Sequence, residues 1–310
     1  LNYLKSINKT TEKYNASIKY FKIDMRTEFL KRNISFSNGN TGLLSHISIS
    51  AYNRYMIPNL EPNLDKVLYI DTDIIVVDDI KKLYEQDLEK YALGAINESY
   101  LFLREPQPDR FALPWHSKFT TVFNAGVMVF DIKKFKQQNI VEKLFETTKQ
   151  NQDKICGDQD VFNIVFKDNF KMLDTKFNNM TTNLNYLKSI NKTDEIKIEE
   201  EKTIIRHYNT GEKPWNSKDT FNANWFWYYA SKTEFYEILK SKYDETIKDK
   251  MPAIAKKYEA PKPPLKTTTI KIKIKLFGVI PLLKIKRKAN KVKIYLFDFI
   301  MILKIKRRES

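Results

Sequence analysis

Short apolar runs rich in Ile, Val, Tyr and Phe alternate with longer amphipathic stretches through roughly the first two hundred residues. Runs that are apolar throughout or alternate with period two predict strands at Ser17–Ile23, Lys66–Asp71, Tyr91–Asn97, Phe123–Asp131 and Thr203–Tyr208. Stretches with apolar positions three and four apart predict helices at Gly42–Asn59, Ile80–Tyr84, Asn139–Asn151, Asp158–Phe166 and Thr220–Lys242. Strand then helix, repeated, is the pattern of an α/β domain around a largely parallel sheet. Pro106, Pro108 and Pro114 interrupt both periods and predict a surface loop over Glu105–His116. Three further prolines, Pro261, Pro263 and Pro264, close a stiff spacer that begins at Pro252.

Composition changes this picture mainly at the far end. The net charge is +16 over 310 residues. Fifteen Lys or Arg against two acids lie between Lys262 and Ser310, whereas residues 1–261 carry 39 basic and 36 acidic side chains. A nearly neutral body with a basic tail argues against nucleic-acid binding by the whole protein, because the excess is confined to one end. The tail also repeats itself: KIKLFGVIPLLKIK at Lys273–Lys286 returns as KIYLFDFIMILKIK at Lys293–Lys306. Each unit is an apolar patch flanked by lysines, which predicts docking on an anionic membrane surface, with a hairpin packed on the body as the other arrangement the alternation allows. No run of eighteen uncharged apolar residues is present to span a membrane. Cys156 is the only cysteine, which excludes an internal disulfide framework and fits a reducing, cytoplasmic setting. A second repeat, LNYLKSINKT at Leu1–Thr10 and again at Leu184–Thr193, has no physical account.

Four segments carry candidate chemistry. In VLYIDTDIIVVDD an apolar strand runs into Asp71 and Asp73, and residues two apart on an extended chain point the same way. Two hard oxygen ligands at a strand's C-terminal end suit Mg²⁺ or Mn²⁺ holding a diphosphate, and they suit a capped turn equally. In RHYNTGEKPW, His207 ends an apolar run and Lys213 follows on a loop. A neutral imidazole can complete a Mn²⁺ shell and a lysine can reach phosphate oxygens, while a strand-end histidine beside a solvated loop is the plainer use. FNAGVMVFDI places Asn124 and Gly126 at the head of a buried strand, where glycine admits a ligand close to the backbone or simply makes a tight connection. GDQDVFN places Asp158, Gln159 and Asp160 at a helix start, where Asp158 is either a functional carboxylate or a cap.

Taken in order, these segments resemble glycosyltransferase family 8, especially its bacterial lipopolysaccharide galactosyltransferases and glucosyltransferases. HISISAYNRYMIPNLEPNLDKVLYIDTDIIV, FNAGVMVFDI, DQDVFN and HYNTGEKPW look like its successive signature blocks, and the likeness runs from about Asn15 to Lys242. The resemblance implies a GT-A (Rossmann-like) fold with a mixed, largely parallel sheet over residues 1–250, followed by the Pro-rich linker 251–264 and the basic tail 265–310. It implies a retaining, Mn²⁺-dependent (or Mg²⁺-dependent) enzyme that moves galactose or glucose from a UDP-sugar to a saccharide or glycolipid acceptor, at the inner face of the cytoplasmic membrane. Asp71, Asp73 and His207 would be metal ligands and Lys213 would meet the diphosphate, with Asp71 and Gly211 also on the donor. Arg54, Asn124, Asp158 and Gln159 would surround the donor sugar, with Asp158 or Gln159 as nucleophile or electrostatic stabiliser. His46 would approach donor or acceptor, and Asn97 or Glu98 a further sugar contact. The sequence departs from the family in having Thr210 where a glycine is usual, with Gly211 one place later. It also lacks the family's first strand and uracil-contacting loop ahead of Asn15, which predicts an incomplete sequence or a damaged copy with exposed sheet edges. An inactive relative serving as a membrane-bound scaffold is the alternative.

Overall fold

The computed structural model describes residues 16–35, 48–98, 121–152, 155, 157–246, 294–295 and 300–305. His46, the Pro-rich loop, the spacer and most of the basic tail lie outside them. The central sheet is built on β2 (Lys66–Ile70), β4 (Leu93–Asn97) and β5 (Phe123–Asp131). With β6 (Lys171–Leu173) and β9 (Ile294–Tyr295) its order is β6-β4-β5-β2-β9. A smaller sheet contains β3 (Ile74–Val76), β7 (Asn179–Met180) and β8 (Ile205–His207), in the order β3-β8-β7.

The α/β class holds and the sheet is mixed, but its weight is not on parallel pairings. β5 runs antiparallel to both of its neighbours, β2 and β4. Parallel pairs join β4 to β6, β2 to β9 and β7 to β8. Strand–helix alternation predicted a largely parallel sheet, whereas the central strands pair antiparallel while still burying side chains on both faces. Burial follows the strand period: Val67 and Tyr69 of β2 enter one core cluster, and Leu68 and Ile70 enter another on the opposite face.

β5 breaks that period at one place. Phe123, Ala125, Met128 and Phe130 share the first cluster, while Val127 and Val129 belong to the second. The phase shifts because β5 inserts extra residues against β4: Ala95 pairs with Met128 and Ile96 with Asn124. Such a bulge bends the strand and re-aims its side chains.

Helices cover the sheet and hold loops in place. The described part of the predicted helix Gly42–Asn59 is a tighter 3₁₀ segment, Ile49–Met56, capped by Ser48 and continuing as a short α-helix at Ile57–Leu60. The predicted helix Thr220–Lys242 is two helices, Ala223–Ala230 and Tyr236–Thr246. Between them the hydroxyls of Ser231 and Thr233 bond to the carbonyls of Tyr228 and Ala230, and short hydroxyl side chains of this kind compete with the helical ladder. Helices at Met25–Lys31, Ile132–Gln137, Thr181–Ser189 and Thr193–Lys202 were not predicted.

Two stretches of the basic tail pair with the body. β9 lies parallel to β2, and β10 (Ile300–Ile305) runs antiparallel to β1 (Ala16–Phe21) from Ala16↔Ile305 to Phe21↔Ile300. The unpaired N–H and C=O groups of an edge strand are what such a segment needs, and the apolar stretch IMILKI has the composition of a strand. No helix among the described residues is long and apolar enough to cross a membrane.

Candidate active site

Asp71 leaves the end of β2, and its N–H donates to the carbonyl of Gly126 in the β5 bulge (2.8 Å). Two residues on, the carbonyl of Asp73 accepts from the N–H of Tyr208 (2.9 Å), so the turn after β2 is tied to both β5 and β8. β8 runs antiparallel to β3 with Ile74 opposite His207. Those pairings bring His207 Nε2 to 3.2 Å from Asp73 Oδ1 and 3.9 Å from Asp71 Oδ2. One ligand atom from each of the three residues lies within 4.8 Å of the others. Two carboxylates and an imidazole at that spacing fit a divalent cation such as Mn²⁺ or Mg²⁺. Lys213 Nζ donates to Asp73 Oδ2 (2.5 Å) and to the carbonyl of Tyr208. Its loop is pinned where Trp227 Nε1 donates to the carbonyl of Pro214 (3.1 Å) and Trp215 packs on Phe226. Burial opposes the charge of Asp73, but His207 and Lys213 outweigh it and hold the carboxyl far below the usual carboxylate range.

A second group of side chains abuts the first. Arg54 is buried, with Nη2 3.3 Å from Asp71 Oδ1, Nε 2.8 Å from Asp158 Oδ2, and Nη1 donating to the carbonyl of Ala125 (2.6 Å). Its guanidinium also lies over the ring of Tyr69, whose hydroxyl donates to Asp71. The helix Asp158–Phe166 is fixed against the head of β5 by Asn163, which accepts from the N–H of Phe123 and donates to its carbonyl, both at 2.9 Å. That clamp sets Gln159 beside the bulge, where its Oε1 accepts from the N–H of Ala125 (3.0 Å) and its Nε2 donates to buried Glu98 (2.9 Å). Asn124 Nδ2 lies 3.2 Å from both Glu98 and Gln159.

Comparison with known proteins decides the family. The model of glycosyl transferase family 8 matches residues 1–219 of the chain. The chain belongs to glycosyl transferase family 8. Among relatives of this family-8 chain, glycosyltransferase GlyF of Streptococcus pneumoniae serotype 4 is 28% identical over 244 residues, covering 78% of the chain and 54% of GlyF. General stress protein A of Bacillus subtilis is 27% identical over 245 residues, covering 76% of the chain and 79% of that protein. The chain thus spans little more than half of GlyF. Among solved structures, the bifunctional glycosyltransferase WbbM superposes with a TM-score of 0.53 at 23% identity, over 64% of the chain and 38% of WbbM. The fold is GT-A.

Of the residues singled out in this family-8 sequence, Arg54, Asp71, Asp73, Asn124, Asp158, Gln159, His207 and Lys213 meet in one continuous polar cluster. His46 lies outside the described residues. Gly211 is exposed, and a Cβ added there would meet nothing within 4 Å, so no crowding at that place demands glycine. Glu98, not Asn97, reaches Asn124 and Gln159. Sequence reasoning assigned no role to Tyr69, Asn163, Asn178 or to Asn209, which donates to Glu98 Oε1 (3.3 Å). Tyr69, Asn163 and Asn209 lie within the quoted segments, and Asn178 lies in none of them.

Burial pushes the Asp158 carboxyl up to about 6, with Arg54 pulling it back and Asp71 adding to the rise. Between the ordinary value of about 4 and about 6, the folded chain therefore holds a proton there that the unfolded chain has lost. The contribution of this group to stability is present at the low end of that window, falls as the pH rises through it and is level above. Denaturant midpoints measured from pH 4 to 7 without divalent cation should show this falling component in the native protein, and Asp158→Asn should remove it. An unchanged profile in the variant would assign the slope to other groups.

Proposed function

We propose that the chain transfers a hexose, galactose or glucose, from a UDP-sugar to a saccharide hydroxyl with retention at the anomeric carbon. The observation that carries this reading is the convergence of Asp71, Asp73 and His207 beside Lys213, at the end of strand β2. In it Asp71, Asp73 and His207 would hold Mn²⁺ or Mg²⁺, which as a Lewis acid would offset the charge that develops on the diphosphate. Lys213 supplies a point charge to a phosphate oxygen from the same side. Arg54, Asn124 and Gln159 form the polar wall against which the sugar lies.

Both ends of the Gln159 amide are held, one by a backbone N–H and the other by Glu98, which suits orientation of a sugar better than bond formation. Asp158, paired with Arg54 in a buried setting, suits an electrostatic stabiliser of positive charge at the anomeric carbon. In the transfer the acceptor oxygen bonds to that carbon as the carbon–phosphate oxygen bond breaks. UDP keeps the bonding pair, and its departing phosphate oxygen takes up the acceptor's proton. The excess of Lys and Arg beyond Lys262 favours an acceptor displayed on an anionic surface, such as a glycolipid.

UDP-galactose and UDP-glucose hydrolysis, followed as UDP release with and without Mn²⁺, tests the proposal. Turnover should vanish in EDTA and return with added Mn²⁺. A rate indifferent to chelator would remove the cation assignment, and tight Mn²⁺ binding without turnover of any UDP-sugar would favour the inactive relative.

A further inference from the structure

We propose that Asn178 is a positioning residue that sets the tautomer of His207, so that Nδ1 carries the ring proton and Nε2 turns its lone pair toward Asp71 and Asp73. This rests on the cation reading for its purpose, but not for its geometry. The argument starts from a donor whose identity is beyond doubt, the backbone N–H of Gly126. It lies 2.9 Å from Oδ1 of Asn124, so the end of the Asn124 amide that faces it is the oxygen. The other end of that amide faces the acceptors Glu98 Oε2 and Gln159 Oε1, as an NH₂ should.

Asn124 Oδ1 also lies 3.0 Å from the Asn178 side chain, which must therefore present its NH₂ there. Asn178 then turns its carbonyl oxygen to His207, 2.9 Å from Nδ1. A carbonyl oxygen can only accept, so Nδ1 must donate. The orientation passes from a backbone N–H through two amides to an imidazole, and every member is buried: Asn178 is 0% exposed and His207 is 2% exposed. Neither amide can flip alone without facing donor to donor or acceptor to acceptor, which is costly in a buried network. At the other end of the ring Asp73 Oδ1, 3.2 Å from Nε2, competes for the proton until a cation stands between them. Asn178 is itself fixed by its N–H on the carbonyl of Thr175 (2.9 Å) and by its place just before β7, where Met180 pairs with His207. Second partners of this kind orient a ligating histidine, and their loss typically costs 10–100-fold in metal affinity.

The test uses ¹⁵N-labelled protein carrying Asp73→Ala, which removes the acceptor 3.2 Å from Nε2, held in chelator at a pH where the ring is neutral, and reads which ring nitrogen of His207 is protonated; Mn²⁺ binding is measured with Asp73 in place. With Asn178 present the ring should carry its proton on Nδ1 alone. Asn178→Leu should leave a mixture of tautomers and weaken Mn²⁺ binding, by calorimetry, about 10- to 100-fold. Asn178→Ala removes the same acceptor by a smaller change and should give the same mixture. A ring protonated on Nε2 with Asn178 present, or a leucine variant with unchanged tautomer, would overturn the assignment. Should Asn178→Leu not fold, the measurement with Asn178 present and the alanine variant still decide. The stated tautomer without Mn²⁺ binding would leave this assignment standing and sink the cation reading instead.

Discussion

Asp73→Asn should lower sugar transfer by about 10³-fold while leaving the protein folded. Asp73 presents Oδ1 to His207 and Oδ2 to Lys213. An amide of the same shape cannot balance the lysine charge, and it offers a divalent cation a neutral oxygen where a charged one stood. Asp73 lies outside the three apolar clusters, and its main chain continues to serve, since the carbonyl that accepts from Tyr208 is untouched. The thermal midpoint should therefore move by only a few degrees. UDP release at saturating Mn²⁺, paired with calorimetry of Mn²⁺ binding, measures both effects. Undiminished Mn²⁺ affinity in the variant would refute the role given to this carboxylate.

Gly126→Ala should be comparably severe for a different reason. A Cβ built there would come 2.3 Å from His207 Cε1 and 2.8 Å from both Asn124 Oδ1 and Asp71 Oδ2. No real Cβ sits that close, and each of the three neighbours is itself held. His207 is tied to Asn178 and paired in β8, Asn124 accepts from Gly126 and Asn178, and Asp71 is bonded to Arg54 and Tyr69. Space can be made only by dispersing the cation ligands, so Mn²⁺ affinity and turnover should fall together by about 10²-fold or more, with about 1–3 kcal/mol of stability. Gly94→Ala is the matched control: its Cβ would approach Leu88 Cδ2 at 2.6 Å in the core, which costs stability and leaves Mn²⁺ affinity as it was. Equal loss of affinity in both variants would mean that general destabilisation is responsible.

The central strands were legible because a chain buried on both faces has no polar interruptions: β2 and β5 lie within a residue of their predicted bounds. Asp71 and Asp73 could be paired from the strand period alone, since they are two residues apart. Placing His207 beside them from residue types alone was not possible, because the antiparallel pairing of β3 with β8 joins segments about 130 residues apart. The family resemblance supplied that link. Neither source indicated the bulge in β5, which is a property of two strands in register and leaves no trace in either one. The aim of Asn124 and the contact of Gly126 with Asp71 both depend on it. Asn178 was equally silent, a single amide after a turn whose meaning comes entirely from what it touches. Lysine-flanked apolar patches fit a lipid surface and a sheet edge alike, and the two described stretches of the tail pair with β1 and β2.

The bond from Lys213 to Asp73 Oδ2 sets the ammonium on the same carboxylate whose Oδ1 faces His207 and would face a divalent cation. A cation drawn to that carboxylate would weaken its hold on the lysine, whose charge a diphosphate could then offset. Each ligand so removes part of the other's cost of entry, and by reciprocity the gain is the same in both directions. The pair would act as a coincidence gate, in which neither manganese nor nucleotide sugar alone fills the cleft firmly and the two together do.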